Sequence, residues 1–599
     1  MELKKLLIGL EGLKVKGNLD LDINGIEKNS KDVKEGFLFV AIKGFAVDGH
    51  KFIEDAIKKG AIAIVIEEGC DLKTFKVPEG ITVVMTKDTR EALAIIASNF
   101  YGNPSSKFKL IGVTGTKGKT TTTFMIKEIL EKAGKKVGLI GTIATYINGK
   151  RIKDSDRTTP ESLELQQIFK QMVDAGVETV VMEVSSQSLK LHRVTGCEFD
   201  IVLFTNFSED HISPNEHPNM EDYFNSKLKL FKMCNTGIVN ADDLHGAKIP
   251  RLFPESNITT YGIDNYANVL AKDITITNSY VDFRVKIKDR NERVKTGIPG
   301  RFSVYNSLAA ICVAQKFGIS PEIIKEALET VRVPGRSELV DNKLEIPIMI
   351  DYAHSPESLQ NILQAVKSYT RGKVISVFGC GGDRDSGKRP IMGEISGKIA
   401  DYTFITSDNP RTEDPQKIVN QIEEGMKKTK GKYSVIVDRT EAIKQAIEMA
   451  TKRDIIVLAG KGHEPYQEIN GVKYPYDERI IVRDLINKRK GLVKLKFETL
   501  ILMISFITAI ILGIIIIPIL RKLKVGQIER DDGPQSHLKK QGTPTMGGII
   551  MILAMIIVVT GTYIFLIYNN QSDIANKLLP ILLLTIGFGL IGFIDDFKK

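Results

Sequence analysis

No tryptophan occurs in the 599 residues of this chain, and there are only 5 cysteines and 8 histidines. Cys70, Cys197, Cys234, Cys312 and Cys380 are scattered, odd in number and without metal-ligand spacing. That excludes a disulfide scaffold and a cysteine-bound zinc, and it fits a reducing cytosol. The start, Met1-Glu2-Leu3-Lys4-Lys5, lacks the apolar core of a signal peptide, so a cytoplasmic location is expected. No long basic run occurs within the first 480 residues, although Lys and Arg (83) exceed Asp and Glu (73) for a net charge of +10. No nucleic-acid partner is therefore expected. Phosphorylated small substrates and a membrane surface account for the excess.

What is there is too long for one core, so several domains are expected. Residues 1–106 alternate short apolar runs with glycine turns. Phe37–Ala41 and Ala61–Ile66 read as buried strands, with a helix over Phe52–Lys59 between them. Residues 107–335 and 336–490 read as strands alternating with helices, which predicts mostly parallel sheets. The expected fold class is therefore α/β. The stretch 497–599 differs in kind. Its uncharged runs predict membrane helices at about 500–520, 546–568 and 578–594.

The most informative motif is Gly115-Thr116-Lys117-Gly118-Lys119-Thr120, after the apolar run Leu110–Val113 and before a helix expected over Thr121–Lys132. Backbone N–H groups in such a turn, with a helix N-terminus behind them, cradle phosphate. Lys119 can reach the β- and γ-phosphates and Thr120 can ligate Mg²⁺. Val113 replaces the first glycine of the usual spacing. Glu183 closes a strand and can hold Mg²⁺ beside the phosphates; the plainer alternative is a surface glutamate. Asp210-His211 follows another strand, and His211 can serve a second Mg²⁺ or orient a water; a lone histidine is as often structural. Asp351–His354, Gly379–Asp385, Ser407–Arg411 and Gly460–Glu464 each close a strand in the third part. Four polar, glycine-bearing turns at successive strand ends are what a ligand site on an open α/β sheet requires.

These residues resemble the Mur ligase family, ATP-dependent amide-forming enzymes of peptidoglycan precursor synthesis. The resemblance covers residues 22 to about 482. It rests on Gly115–Thr120, Met182–Ser186, Asp210-His211, Pro299–Phe302 with Asn306, Val333–Arg336, Asp351–His354 and Gly379–Pro390. It implies a small N-terminal uridine-binding domain, a central P-loop-type domain and a C-terminal Rossmann-like domain. Asp408-Asn409-Pro410-Arg411 resembles the tripeptide-synthetase branch that adds meso-diaminopimelate; lysine-adding members typically lack this arginine. An arginine suits the distal carboxylate of diaminopimelate, which it can bind bidentately.

The resemblance further implies that ATP phosphorylates the terminal glutamate of UDP-N-acetylmuramoyl-L-Ala-D-Glu, and that the diaminopimelate amine attacks the acyl phosphate. Gly115, Thr116, Lys117, Gly118, Lys119, Thr120, Thr121, Asn306, Arg336, Asp351 and His354 would serve ATP. Thr120, Glu183, His211 and a carbamylated Lys227 would hold Mg²⁺. The chemistry would fall to Lys119, Lys227 and His211. Ser30, Thr158, Thr159, Ser185 and Arg193 would bind the uridine substrate. Arg384, Asp408, Asn409, Pro410, Arg411, Gly460 and Glu464 would bind diaminopimelate, Glu464 meeting its ammonium group. Three departures stand out: Gln187 where histidine is usual, Lys31 where arginine is common, and the inserted Pro214–Pro218. The alternatives are a lysine-adding ligase, a folylpolyglutamate-synthetase-like ligase, and a membrane scaffold or bifunctional protein.

The tail resembles the N-terminal third of the phospho-N-acetylmuramoyl-pentapeptide transferases, through Asp532–His537, Lys540, Gly542–Gly548 and Gly592–Asp596. Without the family's later motifs, Asp595 and Asp596 lack partners, and no transferase activity is expected. Arg521, Lys522, Lys524, Arg530, Lys539 and Lys540 make the first loop cytoplasmic. Lys488, Arg489, Lys490, Lys494 and Lys496 ask the same of the other flank. The expectation is a first segment that lies at the interface or re-enters, tethering a cytoplasmic ligase, unless the chain is a fused reading frame.

Overall fold

The computed structural model describes all residues except 46, 71–73, 210–211, 214–215, 288, 343, 345, 524–547, 569–571 and 599, and the side chains of 489–496, 573, 593 and 595–598. Two compact units result, Met1–Val482 and Arg483–Lys599.

The first unit carries three sheets. The five-stranded N-terminal sheet is built on Phe37–Val40, Ala61–Glu67 and Thr82–Thr86, parallel to one another. The expected helix after Phe52 is shorter than predicted, Ile53–Lys58, because Asp48 caps a 3₁₀ turn over Gly49–Phe52. The central sheet has eleven strands. Its core is parallel: Val137–Ile140, β2 (Thr179–Glu183), β1 (Lys109–Thr114), β3 (Ile201–Phe204), Thr236–Asn240 and Asn257–Gly262 lie side by side in that order. Antiparallel strands extend both edges, so the sheet is mixed rather than parallel throughout.

Alternation along the parallel strands explains why both faces are covered. Ile111, Val113, Val181 and Leu203 pack on one face with α1 (Lys119–Lys132) and α3 (Arg301–Lys316). Leu110, Val180, Met182, Val202 and Phe204 pack on the other with Ser162–Asp174 and α2 (Met220–Leu228). Successive side chains of a strand point to opposite faces, so runs apolar at every position need helices on both. Each fully buried side chain of this size contributes roughly 1.5–3 kcal/mol.

Register then sets the site. Glu183 pairs with Val113, and Phe204 with Thr114, so the three strands end at one edge. The third sheet repeats this. β4 (Ile348–Asp351), β5 (Val374–Phe378), β6 (Tyr402–Ile405) and β7 (Ile455–Ala459) are parallel, with Asp351 and Phe378 both beside Ala459, and Phe378 beside Ile405. A hairpin, Tyr466–Ile469 with Val472–Pro475, follows β7.

The second unit is helical. The helix Glu478–Lys522 begins in the last residues of the first unit, and within it Phe497–Lys522 is long and apolar enough to cross a membrane. Gly548–Tyr568 and Ile574–Gly592 also are. The first helix starts and ends outside the predicted 500–520, because the charged residues that flank the apolar run are themselves good helix formers.

Candidate active site

β1 ends at Thr114 and α1 begins at Lys119, so the chain must reverse sharply between them. Gly115 (φ +139°) and Gly118 (φ +82°) make that turn. A Cβ on Gly115 would lie 1.9 Å from Thr205 Oγ1, and one on Gly118 2.6 Å from Asn306 Oδ1. The end of β3 fixes the loop: Thr116 N donates to Asn206 O (2.9 Å), and Thr205 Oγ1 to Lys117 O (2.7 Å). Lys119 Nζ donates to the carbonyls of Gly115 and Thr116, at 2.9 Å each. Lys227, on α2 and 1 % exposed, donates to that same Gly115 carbonyl at 2.9 Å and lies 4.3 Å over the Tyr223 ring. Two ammonium groups thus converge on one oxygen, an arrangement that favours an anion between them.

Glu183 is buried at the mouth of this loop. It accepts from Thr120 Oγ1 (3.1 Å), Thr142 N (2.9 Å) and Thr142 Oγ1 (2.9 Å). All are neutral donors, so its charge gains from a nearby cation. Thr142 was not foreseen from the sequence; its signal is Gly141-Thr142 directly after the strand Val137–Ile140, beside β2. Among the described residues no group of three or more His, Cys, Asp and Glu side chains forms a metal cluster. Asp210 and His211 lie outside the described residues.

A cavity of about 640 Å³ runs from Thr116, Lys117, Gly118 and Thr121 past Asn306 to Arg336, Asp351 and His354. Asn306 is buried and accepts from Thr122 Oγ1 (3.3 Å). The Arg336 guanidinium lies 4.8 Å over the Tyr352 ring, and its buried Nε has no hydrogen-bond partner among the described residues. Asp351 accepts from Ser337 N (2.7 Å); burial pushes its carboxyl up, against the pull of Arg336. His354 Nδ1 donates to Tyr352 O (2.7 Å), since a carbonyl only accepts. Sequence reasoning missed Asp242 on the same wall. It accepts backbone N–H groups from Ile263, Asp264 and Asn265 at 2.6–3.0 Å. Burial opposes its ionisation, but these bonds outweigh it and hold the carboxyl low.

A second cavity of about 760 Å³ adjoins the first, and Lys119 and Thr158 line both. Lys28, Arg90, Lys119, Arg157, Arg193, Lys227 and Arg384 line it against Asp156, Glu161 and Glu216, so it suits an anionic ligand. Ser185 is also on its wall. Thr159 stands behind, donating to Glu183 O (2.9 Å) and accepting from Ser185 N (3.1 Å). Arg193 Nη1 donates to Thr159 O (3.3 Å), and Nη2 pairs with Glu161 (2.9 Å). Ser30 is buried and is not among the described residues that line either cavity.

The four polar turns of the third sheet meet at its strand ends. Gly460 (φ +113°) has no room for a side chain, since a Cβ would lie 2.4 Å from Asp408 Oδ2. Asn409 Nδ2 donates to Glu464 Oε2 (2.7 Å), and Lys461 Nζ donates to Asn409 Oδ1 (2.9 Å). Burial raises the Glu464 carboxyl, with Asp408 adding to it. Lys461 is fully buried and was missed; its place between Gly460 and Gly462 was the only signal. Pro410 closes against Gly382, where a Cβ would lie 1.9 Å from the proline carbonyl. Arg411 holds φ +51°, with Nη1 donating to Gly382 O (2.6 Å) and Nε 3.3 Å from Glu468 of the hairpin. Beneath, Arg439 and Glu478 form a buried pair (2.7 Å), and Arg439 also donates to Ala459 O (2.9 Å).

Comparison with known proteins follows the same division. Residues 22–101 match the Mur ligase family catalytic domain, 113–314 the Mur ligase middle domain, and 335–462 the Mur ligase glutamate ligase domain. The chain is 50 % identical over 480 residues to a UDP-N-acetylmuramoyl-L-alanyl-D-glutamate–2,6-diaminopimelate ligase of Caldanaerobacter subterraneus subsp. tengcongensis, covering 80 % of this chain and 98 % of that one. It is 46 % identical over 491 residues to the protein of that name from Clostridium tetani, covering 82 % and 100 %. A solved structure of a ligase so named superposes with a TM-score of 0.60 at 28 % identity, covering 82 % of this chain and 99 % of the other. With the phosphate turn, the paired cavities and these relatives in agreement, the chain belongs to the Mur ligase family.

Proposed function

We propose that this protein is an ATP-dependent ligase that joins meso-diaminopimelate to UDP-N-acetylmuramoyl-L-alanyl-D-glutamate in peptidoglycan precursor synthesis. The observation that carries the reading is the pair of cavities that meet at Lys119 and Thr158. A phosphoryl group held in one is thereby presented to a carboxylate held in the other. The relatives' shared name supplies the substrates.

In this reading Gly115–Thr121 hold the ATP phosphates, while Asn306, Arg336, Asp351 and His354 line the rest of the nucleotide site. Thr120 and Glu183 fit Mg²⁺, as a hydroxyl and a buried carboxylate served by neutral donors; His211 joins them by sequence. Lys227 fits carbamylation, which would turn the second ammonium on the Gly115 carbonyl into an anionic ligand. Bound Mg²⁺ would offset charge on the transferring phosphoryl oxygens. Lys119 steadies the γ-phosphoryl as the glutamate carboxylate attacks it. The amine then attacks the acyl carbon and phosphate departs. Thr158, Thr159, Ser185 and Arg193 hold the uridine substrate, with Ser30 as a supporting residue. Arg384, Asp408–Arg411, Gly460 and Glu464 select diaminopimelate.

The three apolar helices attach the protein to the bacterial cytoplasmic membrane, with the ligase on the ATP side. Protease treatment of inverted and right-side-out vesicles checks this; protection of residues 1–482 in inverted vesicles alone would overturn it. The ligase reading is tested by phosphate release from the full chain with ATP, the UDP-dipeptide and either diaminopimelate or L-lysine. Release with diaminopimelate is expected, and a preference for lysine refutes it.

A further inference from the structure

One cluster on the larger cavity has no part in the roles above. His217 is fully buried, on the segment before α2 that varies from the family pattern, yet it lines the cavity together with Ser186. Its Nδ1 lies 2.6 Å from Asp222 Oδ2 and its Nε2 lies 2.9 Å from Ser186 Oγ. Lys190 Nζ donates to Asp222 Oδ2 (2.9 Å) and to Glu216 O (3.0 Å).

Donor chemistry fixes the proton positions. An ionised carboxylate only accepts, so Nδ1 carries the hydrogen that faces Asp222. In the neutral ring Nε2 is then an acceptor, and the Ser186 hydroxyl donates to it. The cavity thus meets a hydroxyl whose proton already points at a buried imidazole, itself oriented by a carboxylate. The groups facing the ring are Asp222, Lys190, Lys227 and the Tyr223 ring, whose centroid is 5.0 Å away. Burial, with Lys190 adding to it, favours the neutral ring against the pull of Asp222, so the ring can take a proton. A clamp that merely fastened this loop to the helix after Ser185 would need no acceptor aimed at a cavity wall.

We propose that Ser186, His217 and Asp222 form a proton relay serving the amine that attacks the acyl phosphate. The inference rests on the ligase reading. When the amine nitrogen bonds to the acyl carbon, it carries one proton too many. That N–H breaks toward Ser186 Oγ as the Ser186 proton passes to His217 Nε2. The nitrogen keeps its electron pair for the amide, and phosphate leaves with the pair of the broken C–O bond. The imidazolium so formed faces Asp222.

The test uses the full chain with ATP and the UDP-dipeptide, and compares two nucleophiles. Diaminopimelate needs its proton removed, whereas hydroxylamine reports the acyl phosphate as hydroxamate with little need of a base. Ser186→Ala removes only the relay hydroxyl, and His217→Asn removes the acceptor. Both are expected to lower kcat with diaminopimelate by about 100-fold, with KM for diaminopimelate within threefold and hydroxamate formation lowered far less. Equal loss with both nucleophiles, or no loss with either, overturns the relay. Wild-type protein that forms no amide with diaminopimelate refutes the ligase reading instead.

Discussion

Replacing Arg411 with alanine separates the two amino acids a ligase of this kind could use. Diaminopimelate carries a distal carboxylate that L-lysine lacks, and Arg411 is the guanidinium set at the turn after β6. The turn holds it at φ +51°, a conformation costing about 1–2 kcal/mol for a residue with a Cβ. Two hydrogen bonds to the hairpin maintain it: Arg411 N donates to Glu468 O (3.0 Å), and Asn470 N to Arg411 O (2.6 Å). Both are main-chain bonds and survive the substitution, which removes only the side-chain ties to Gly382 O (2.6 Å) and Glu468 (3.3 Å). Losing one partner of a buried charge pair costs roughly 2–5 kcal/mol. The Arg411 side chain is 23 % exposed, so water screens part of the interaction and the lower half of that range applies. At about 1.4 kcal/mol per factor of ten, KM for diaminopimelate should rise by about 30- to 300-fold. KM for ATP should stay within about twofold, and any turnover with lysine should be unchanged. Arg411→Lys keeps the charge but loses the fork, and should recover only part of the loss. Steady-state phosphate release against each amino acid measures this. A rise of the same size for lysine and diaminopimelate would refute the argument, since it would mean that Arg411 only holds the turn.

Other substitutions follow from the same geometry. Gly115→Ala puts a Cβ 1.9 Å from Thr205 Oγ1 at φ +139°; KM for ATP should rise by at least about 100-fold, measurable as loss of nucleotide protection in thermal unfolding. Glu478→Gln breaks the buried pair with Arg439 and should destabilise the region around the third sheet by about 3–5 kcal/mol, seen as a lower midpoint in urea. Arg389 donates to both oxygens of Glu413 (2.8 and 2.9 Å) and brings that carboxyl down to about 2 from 4.5. A depressed carboxylate stabilises fully above its unfolded value and loses this as pH falls through the folded one, so the contribution should fade between pH 4.5 and about 2. Arg389→Met should abolish that acid-side slope in urea titrations at stepped pH.

Much of this was legible because backbone rules forced it. Glycines at 115 and 118, a preceding apolar run and a following Lys-Thr leave few alternatives to a phosphate turn, and the register that sets Glu183 beside Val113 follows from two buried parallel strands. The four polar turns of the third sheet were legible for the same reason, since parallel strands end on one side. The antiparallel edges of the central sheet were not, because Lys150–Asp154 and Arg290–Thr296 are largely charged and carry little apolar periodicity.

Side-chain partnerships across the sequence were the least legible. Lys461 reads as a surface lysine in a glycine turn, yet it is fully buried against Asn409 and near Glu464. Only the fold reveals that Asp408 and Glu464 require an internal cation. His217 fell in a stretch that read as an insertion, and a lone histidine among prolines carries no spacing signal. Its meaning comes from two partners, Ser186 and Asp222, one 31 residues away and one 5. The close one is invisible as a pair because Asp222 also opens α2, where an acidic residue needs no further reason. The turn residues that sequence reasoning singled out are those whose backbone is constrained, whereas Lys461 and His217 are held by other side chains. That division is why the relay is best tested by removing one hydroxyl, which leaves every backbone constraint in place.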